Sequence, residues 1–155
     1  MQPSAEVLPE ASWASSVQTR HAMIANRSRD TRPELRIRSA AHRLGLRFRV
    51  ATRPLPGMAR ADLCFPSARV AVFVDGCFWH GCPAHCRIPS TNVVYWQAKI
   101  ERNRQRDRAN DEQLRSAGWE GLRFWEHLDP VEAAATIEAV VRARRAPPSA
   151  EGEEP

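Results

Sequence analysis

The stretch RVAVFVDGCFWHGCPAHC, residues 69–86, carries the pattern that decides the fold. It opens on an apolar run at 69–74, and a run of this kind is typical of a strand buried on both faces of a sheet. A loop rich in cysteine, histidine and aromatic side chains follows at once. The pattern predicts a central strand with the chemistry of the protein concentrated just beyond its end.

Helices and further strands are predicted on both sides of this stretch. Thr31 and Glu34 form a T-x-x-E capping box that predicts a helix ending at Gly45. A long helix is predicted from Thr91 or Asn92 to about Ala117, and Asp129-Pro130 opens a last one. The remaining strands are predicted at 46–50, 61–65 and 119–125. This order is typical of an α/β or α+β sheet with helices packed on it.

The 155 residues contain no repeat and no linker long enough to separate two domains. Tails 1–18 and 146–155 are rich in Pro, Ser, Ala and Glu, which predicts disorder on either side of one domain at 19–145. No apolar run approaches the ~20 residues that span a bilayer, and the N-terminus does not resemble a secretory signal. We therefore expect a cytoplasmic protein.

Basic charge is concentrated in the first two thirds of the chain. Residues 1–108 contain 18 basic and 8 acidic side chains, whereas the last 47 residues contain 5 and 10. All but one of the basic side chains are arginines, which bind phosphate in a bidentate manner. The asymmetry favours an anionic partner such as nucleic acid, and the alternative is an ordinary solvated surface.

The cysteines predict a metal site. Three of the four, Cys77, Cys82 and Cys86, lie within ten residues of one another, with His85 among them. In a reducing compartment this density favours zinc over disulfides, and His127 is a candidate for the fourth ligand of a tetrahedral site. The alternative is a group of buried thiols beside an incidental histidine. The fourth cysteine, Cys64, lies in an apolar strand and is predicted to be core.

Two carboxylates and a histidine form a candidate hydrolytic site. Asp62 and Asp75 are predicted at neighbouring strand ends, where two acids can hold a hard cation such as Mg²⁺. A magnesium ion there would neutralise charge during phosphodiester hydrolysis, and His80 could accept the proton of the attacking water. The alternative gives the aspartates turn and cap roles.

Phe78 and Trp79 lie among the candidate metal ligands, on a loop where large aromatic side chains are unexpected. Beside a basic surface they suggest stacking on bases, and a wedge that unstacks a duplex favours sites where pairing is already defective. The alternative is a small core beneath the loop.

The motifs SRDTRPE, LPG...AD, VFVDGCFWHGC, YWQAKIERNRQRDR and AGWEGLRFWEH occur in this order over about residues 20–128. Together they resemble the very short patch repair DNA mismatch endonucleases. The resemblance implies a mixed central sheet flanked by helices, of the restriction endonuclease-like PD-(D/E)xK class. It also implies a Mg²⁺-dependent nick 5′ of the thymine in a T:G mismatch left by deamination of 5-methylcytosine.

The resemblance assigns roles to residues that match the family motifs. Asp62 resembles the Mg²⁺-binding catalytic aspartate, with the backbone carbonyl of Val74 as a second ligand. His80 resembles the catalytic histidine, and Glu34 matches an acid near the active site, although the capping box accounts for it equally well.

The resemblance also implies how the mismatch is contacted. Phe78, Trp79 and Trp96 correspond to aromatic side chains that intercalate at the mismatch, and Met23 to a residue that enters from the opposite groove. For Trp96 a core role stays open, because it begins the apolar stripe of its helix.

Several positions depart from the family pattern. Asp75 lies where well-known members carry histidine, so its role moves toward metal binding or orienting water. In the zinc set Cys82 replaces a histidine and His127 replaces a cysteine, with His85 favoured over Cys86 as the third protein ligand. LPGMARAD is also two residues longer than the shorter LPGxPD form.

The sequence thus predicts a monomeric endonuclease with catalytic Mg²⁺ and structural Zn²⁺, associated with the nucleoid of a bacterium. Mismatch-repair proteins and a DNA cytosine methyltransferase system are its expected partners besides mismatched double-stranded DNA. Two alternatives are a non-catalytic zinc-stabilised nucleic-acid-binding module and a related endonuclease with a different DNA specificity. The number of Mg²⁺ ions, one or two, is left open.

Overall fold

A computed structural model describes residues 29–146, which form one four-stranded sheet and three long helices. In chain order the elements are α1 (Arg32–Arg43), β1 (Arg49–Thr52), β2 (Ala61–Phe65), a 3-10 turn (Pro66–Ala68), β3 (Val70–Asp75), α2 (Val93–Ser116), β4 (Glu120–Trp125) and α3 (Pro130–Arg145). Met23, the 1–18 tail and all but the first residue of the 146–155 tail lie outside the described residues. None of the described helices is long and apolar enough to cross a membrane.

The sheet is mixed, with strand order β1-β2-β3-β4. β1 pairs antiparallel with β2, β2 antiparallel with β3, and β3 parallel with β4. Parallel neighbours need a long crossover, and α2 provides it. Because β3 and β4 run in the same direction, the segments after Asp75 and Trp125 leave the sheet at one edge, side by side.

Both faces of the sheet are covered, as the apolar run of β3 predicts. On one face α1 and α3 pack through Ile37, Ile137 and Val141 against alternate residues of β2 and β3, including Leu63 and Val72. The other face packs under α2. Its core consists of Met58, Ala61, Cys64, Ala71, Phe73 and Leu114. The mixed sheet flanked by helices is confirmed and is compatible with the predicted nuclease class, and Cys64 lies in the core.

The predicted strand at 46–50 is wrong in its bounds, because β1 begins only at Arg49. Arg49 pairs with Cys64, and β2 ends one residue later in the 3-10 turn, so the segment before β1 has little strand to pair with. Leu46 is buried and Phe48 packs on the Phe65 ring instead. The apolar residues of 46–50 therefore contribute to the core without forming a ladder.

The helix ends follow the predicted signals closely. α2 begins after Asn92, and Asp129 caps α3 by accepting a hydrogen bond from the Val131 amide at 2.8 Å. At α1 the capping box differs in detail: Glu34 accepts from the Asp30 amide at 2.8 Å and from the Thr31 hydroxyl at 3.0 Å. The Thr31 side chain accepts no hydrogen bond from a helix amide, and its hydroxyl donates to Glu34 instead.

Candidate functional site

A cleft of about 460 Å³ opens at the sheet edge where β3 ends. Its walls come from the 53–60 loop, β2, β3, α2 and β4, and its polar lining contains both signs of charge. The ionisable residues that line it are Arg53, Arg60, Asp62, Asp75, His80, Arg106, Asp107 and Arg123. Asp62 of β2 is thus brought into one cleft with Asp75 and His80 of the 69–86 stretch.

Asp62 lies on β2 with its side chain against β3. Its Oδ2 accepts a hydrogen bond from the Val74 amide at 2.6 Å. Burial raises the pKa of Asp62 to about 7, although the Val74 hydrogen bond opposes the rise. In a strand the N–H and C=O of one residue point to the same side, so the Val74 carbonyl points toward β2, the strand that carries Asp62. A buried carboxylate beside a backbone carbonyl fits the oxygen ligands of a hard cation.

His80 is held by carboxylates on its Nδ1 side. Nδ1 lies 2.5 Å from Oδ2 of Asp107 and 3.8 Å from Oδ1 of Asp75. Burial lowers the pKa of His80, but the Asp107 hydrogen bond and the charges of both aspartates outweigh it and raise the pKa overall. With Nδ1 engaged in this way, Nε2 is the nitrogen left to exchange a proton with water or substrate.

The sequence did not point to two residues of this cleft, Asp107 and Arg123. The Arg123 guanidinium contacts Asp75 at 3.1 Å, Asp107 at 3.6 Å and Asp111 at 2.9 Å. One available signal was that Arg123 interrupts the apolar part of the strand GLRFW, where a buried arginine needs partners. Asp107 is similarly the lone acid in the basic run RNRQRDR of α2.

Glu34 is buried near the cleft and fully engaged with its own helix. Only 5% of it is exposed, and Oε2 pairs with Nη2 of Arg38 at 3.3 Å. The negative charge of Glu34 also raises the pKa of Asp62, although the burial of Asp62 raises it more. The structure therefore places Glu34 close enough to influence Asp62, while its direct contacts are with the start of α1.

Cys77, Cys82, His85 and His127 form a compact cluster, and their ligand atoms all lie within 4.8 Å of one another. Sγ of Cys77 is 3.1 Å from Nδ1 of His127, and Sγ of Cys82 is 3.8 Å from Nδ1 of His85. Tetrahedral zinc with ordinary Zn–S and Zn–N bonds separates its ligand atoms by roughly 3.3 to 3.8 Å. The donor set and its spacing fit zinc.

Cys86 lies apart from this cluster, although it adjoins His85 in sequence. Its Sγ points to the carbonyl oxygen of Phe78, at 3.7 Å. The sheet fixes the other end of the cluster, because Cys77 and His127 each lie two residues after the end of a strand, β3 and β4 respectively. The Cys77 amide donates to Oε1 of Glu126 at 2.9 Å, which ties the two strand ends together. This geometry favours His85 over Cys86 as the third ligand.

The aromatic side chains form one cluster on the loop and α2. Ring centroids of Phe78 and Trp79 are 5.1 Å apart, and each also contacts Trp96, at 5.3 and 6.1 Å. Phe78 and Trp79 are half-buried, whereas Trp96 is only 3% exposed. The burial of Trp96 agrees with the alternative that makes it core, and its contact with a base pair stays a prediction.

Side chains of α2 hold the backbone of the 77–86 loop. Nδ2 of Asn103 donates to the Trp79 carbonyl at 2.7 Å, and Nη2 of Arg104 donates to the Gly81 carbonyl at 2.6 Å. Nε of Arg104 also donates to the His80 carbonyl at 3.3 Å. The loop that carries His80 and the aromatic side chains is thus fastened to α2 as well as to the Cys/His cluster.

Replacing Gly81 by alanine is expected to disturb this loop. Gly81 has φ +66°, and a Cβ there would lie 2.5 Å from Nη2 of Arg104. Left-handed backbone costs a non-glycine residue ~1–2 kcal/mol, and the displaced Arg104 adds to that. We expect a nicking rate reduced about tenfold or more, measured on any duplex that the wild type cuts.

Gly45→Ala is the matched control. Gly45 has φ +78° with open space around its Cβ position, so it carries the same backbone strain without the clash. It should lower the melting temperature slightly and leave the rate unchanged. Equal rates for both variants would contradict a positioning role for the loop contacts.

The sequence profile of the family described as DNA mismatch endonuclease Vsr matches residues 14–87. A type II nicking enzyme of Lentzea aerocolonigenes, V.NaeI, is 46% identical over 118 residues, which cover 74% of this chain and 71% of that protein. The chain belongs to the Vsr family of DNA endonucleases. The nicking enzyme V.XorIIP of Xanthomonas oryzae pv. oryzae is 44% identical over 110 residues, 69% of this chain and 78% of the relative.

The DNA mismatch endonuclease Vsr of Escherichia coli (strain K12) is 39% identical over 107 residues, which are 67% of this chain and 66% of that protein. Membership in the Vsr family confirms that the protein is a DNA endonuclease, a hydrolase of phosphodiester bonds. The alternative of a non-catalytic zinc-stabilised module is therefore wrong. The cleft contains acids, a histidine and arginines, side-chain types that can act on a charged phosphodiester backbone.

Proposed function

We propose that this Vsr-family endonuclease nicks double-stranded DNA on the 5′ side of the thymine in T:G mismatches and depends on Mg²⁺. The observation that carries the proposal is the juxtaposition of Asp62 and the His80–Asp107 pair in one cleft, with Phe78 and Trp79 on the same loop as His80. The cleft supplies hydrolytic groups and the loop supplies aromatic rings. Thymine opposite guanine would arise by deamination of 5-methylcytosine, which makes the nick the first step of very short patch repair.

In this proposal Asp62 and the Val74 carbonyl would hold the Mg²⁺ ion. When bound, the ion neutralises negative charge that develops on the phosphate and helps to activate water. His80 accepts the proton of the attacking water at Nε2, while Asp107 fixes the ring through Nδ1. Glu34 acts indirectly, through its charge close to Asp62.

In the proposal the Cys/His cluster (Cys77, Cys82, His85 and His127) has a structural role. Cys77, Cys82, His85 and His127 would hold Zn²⁺ and fasten the 77–86 loop to the strand ends. Phe78 and Trp79, with Trp96 behind them and Met23 from the opposite groove, would enter the base stack at the mismatch. A loop that is already ordered loses less conformational entropy on binding than one that must be ordered by the DNA.

Arginines on the exposed face of α2 and around the cleft would hold the phosphates. The protein would act as a monomer on mismatched duplex DNA, with mismatch-repair proteins and a cytosine methyltransferase system as functional partners. These partners follow from the proposed substrate, since a methyltransferase creates the 5-methylcytosine whose deamination gives T:G.

Strand-specific nicking of end-labelled duplexes tests the proposal. The duplexes contain T:G, T:A or C:G at one position in several flanking contexts, with Mg²⁺ or with EDTA. We expect cutting only 5′ of the mispaired thymine and only with Mg²⁺. Equal cutting of all three duplexes, or undiminished cutting in EDTA, would contradict the proposal.

A second candidate is an endonuclease of the same family with a different DNA specificity. It is favoured by relatives named as type II nicking enzymes, and by Asp75 at a position where well-known members carry histidine. This candidate predicts cutting at a mismatch or sequence other than the T:G contexts of the first assay. A panel of all single mismatches in randomised flanks separates the two.

A further inference from the structure

We propose that Arg123 is a positioning residue for hydrolysis: its guanidinium fixes the carboxylates of Asp75 and Asp107 and so determines which of them orients His80. The proposal rests on the role given to His80 in the proposed function. It assigns a task to the half-buried arginine of β4 and, through it, to Asp75.

Arg123 is surrounded by acceptors on three sides. Nε lies 2.9 and 3.1 Å from the two oxygens of Asp111, and Nη1 lies 3.1 and 3.3 Å from those of Asp75. Nη1 is also 3.6 Å from the Asp107 carboxylate, and Nη2 is 3.5 Å from the Asp107 backbone oxygen. The guanidinium carbon lies 4.5 Å from the centroid of the Phe73 ring. The guanidinium of Arg123, on β4, therefore contacts side chains of both β3 and α2.

Two carboxylates compete for the same nitrogen of His80. Nδ1 is 2.5 Å from Asp107 and 3.8 Å from Asp75, so a small movement of either aspartate would change the partner of the ring. Arg123 binds both oxygens of Asp75 and holds that carboxylate beyond hydrogen-bond distance of Nδ1, which leaves Asp107 as the acceptor for His80. The planar fork of arginine can hold several oxygens at fixed angles, which a lysine ammonium cannot.

The contacts of Arg123 also indicate which carboxylate of the cleft is free to bind a cation. Asp75, His80 and Asp107 have their ligand atoms within 4.8 Å of one another, a spacing that could suit a metal ion. Arg123 already supplies a positive charge to both carboxylates at this point. Asp75 is thereby an ion-pair partner of Arg123. Among the described residues the Val74 amide is the only hydrogen-bond donor to Asp62, so Asp62 is the carboxylate that remains open to Mg²⁺.

A set of variants tests the proposal by single-turnover nicking of a saturating duplex that the wild type cuts. Arg123→Met should lower the nicking rate about 30-fold to 100-fold, with the Kd for the duplex changed less than about threefold, as expected when an oriented catalytic group loses its support. Arg123→Lys, which keeps the charge and loses the fork, should recover only part of the rate. Arg142→Met, on the exposed face of α3, is the matched control and should cut like the wild type.

The double variant D75N/R123M is the decisive member of the set. The neutral amide oxygen of asparagine is a weaker acceptor for His80 than the Asp107 carboxylate, so the double variant should cut at least about fivefold faster than R123M. Under a purely structural role for Arg123 the rate of each variant would follow its melting temperature, so the rescue is measured at a temperature where R123M and the double variant are both fully folded. Wild-type nicking by R123M, or a double variant no faster than R123M, would overturn the inference.

Failure of the proposed function would look different. If the wild type cuts a substrate other than T:G duplexes, the proposed specificity is wrong, and the Arg123 comparison is made on that substrate. If His80→Ala cuts as fast as the wild type, the role of His80 is wrong, whatever the Arg123 variants do.

Discussion

Replacing Asp62 by asparagine is expected to reduce nicking by on the order of 10³-fold or more while mismatched duplex is still bound. The amide keeps the shape of the side chain and can still accept the Val74 hydrogen bond. It does not carry the negative charge that holds Mg²⁺ in the proposed site. Binding should persist because it depends on arginines and aromatic side chains elsewhere on the surface.

The same variant should be more stable than the wild type in metal-free buffer at pH 8. Burial raises the pKa of Asp62 from 3.8 to about 7, so between these values the unfolded chain releases a proton that the folded protein retains. The free energy of unfolding therefore falls as pH rises from about 4 to 7, by up to about 4 kcal/mol. The asparagine side chain of the variant has no proton to release, so the advantage of the variant should vanish near pH 4.

Three measurements on one preparation check these expectations: nicking of labelled duplex, binding by fluorescence anisotropy, and thermal unfolding at pH 4 and pH 8. Asp129→Asn is a suitable control, because Asp129 is an exposed cap of α3 and does not line the cleft. Retained nicking by Asp62→Asn would remove Asp62 from the catalytic role. Loss of binding together with nicking would mean that the substitution damages more than the metal site.

Cys77→Ser is expected to abolish stoichiometric zinc binding and, with it, most of the nicking activity. Cys77 links β3 to the loop, and its Sγ lies 3.1 Å from Nδ1 of His127. Structural zinc contributes ~10 kcal/mol or more to the folding of small sites, so its loss should release the loop that carries His80 and the aromatic side chains. We expect a melting temperature lower by ~10 °C or more, while the two packed faces of the sheet persist.

Two further variants make this prediction specific. Cys86→Ser should keep zinc and activity, because Cys86 contacts the Phe78 carbonyl and lies outside the Cys/His cluster. His85→Cys should also keep zinc, as a Cys₃His site. Zinc content is measured by mass spectrometry of protein purified without added metal. Zinc retained by Cys77→Ser would overturn the assignment of Cys77, and zinc lost by Cys86→Ser would overturn that of His85.

The helices and the central strands were predictable because their signals are local. The helix starts at Asn92 and Asp129 and the stop at Gly45 follow from residue type alone, and each agrees with the structure. The strand predicted at 46–50 had the wrong bounds, because β1 can begin only where it has a partner in β2. The residues of β1 do not indicate where β2 ends.

The sequence by itself determined three features of this protein: a central strand buried on both faces, a following loop rich in cysteine and histidine, and membership in a family of endonucleases. Only the tertiary structure decided that Asp107 orients His80 across 27 residues, that Arg123 joins three acids, and that Cys86 turns away from the cluster. The physical reason is that these contacts join side chains across separate elements. These contacts depend on the parallel pairing of β3 with β4 and on the packing of α2 against the sheet. No local sequence pattern encodes either arrangement.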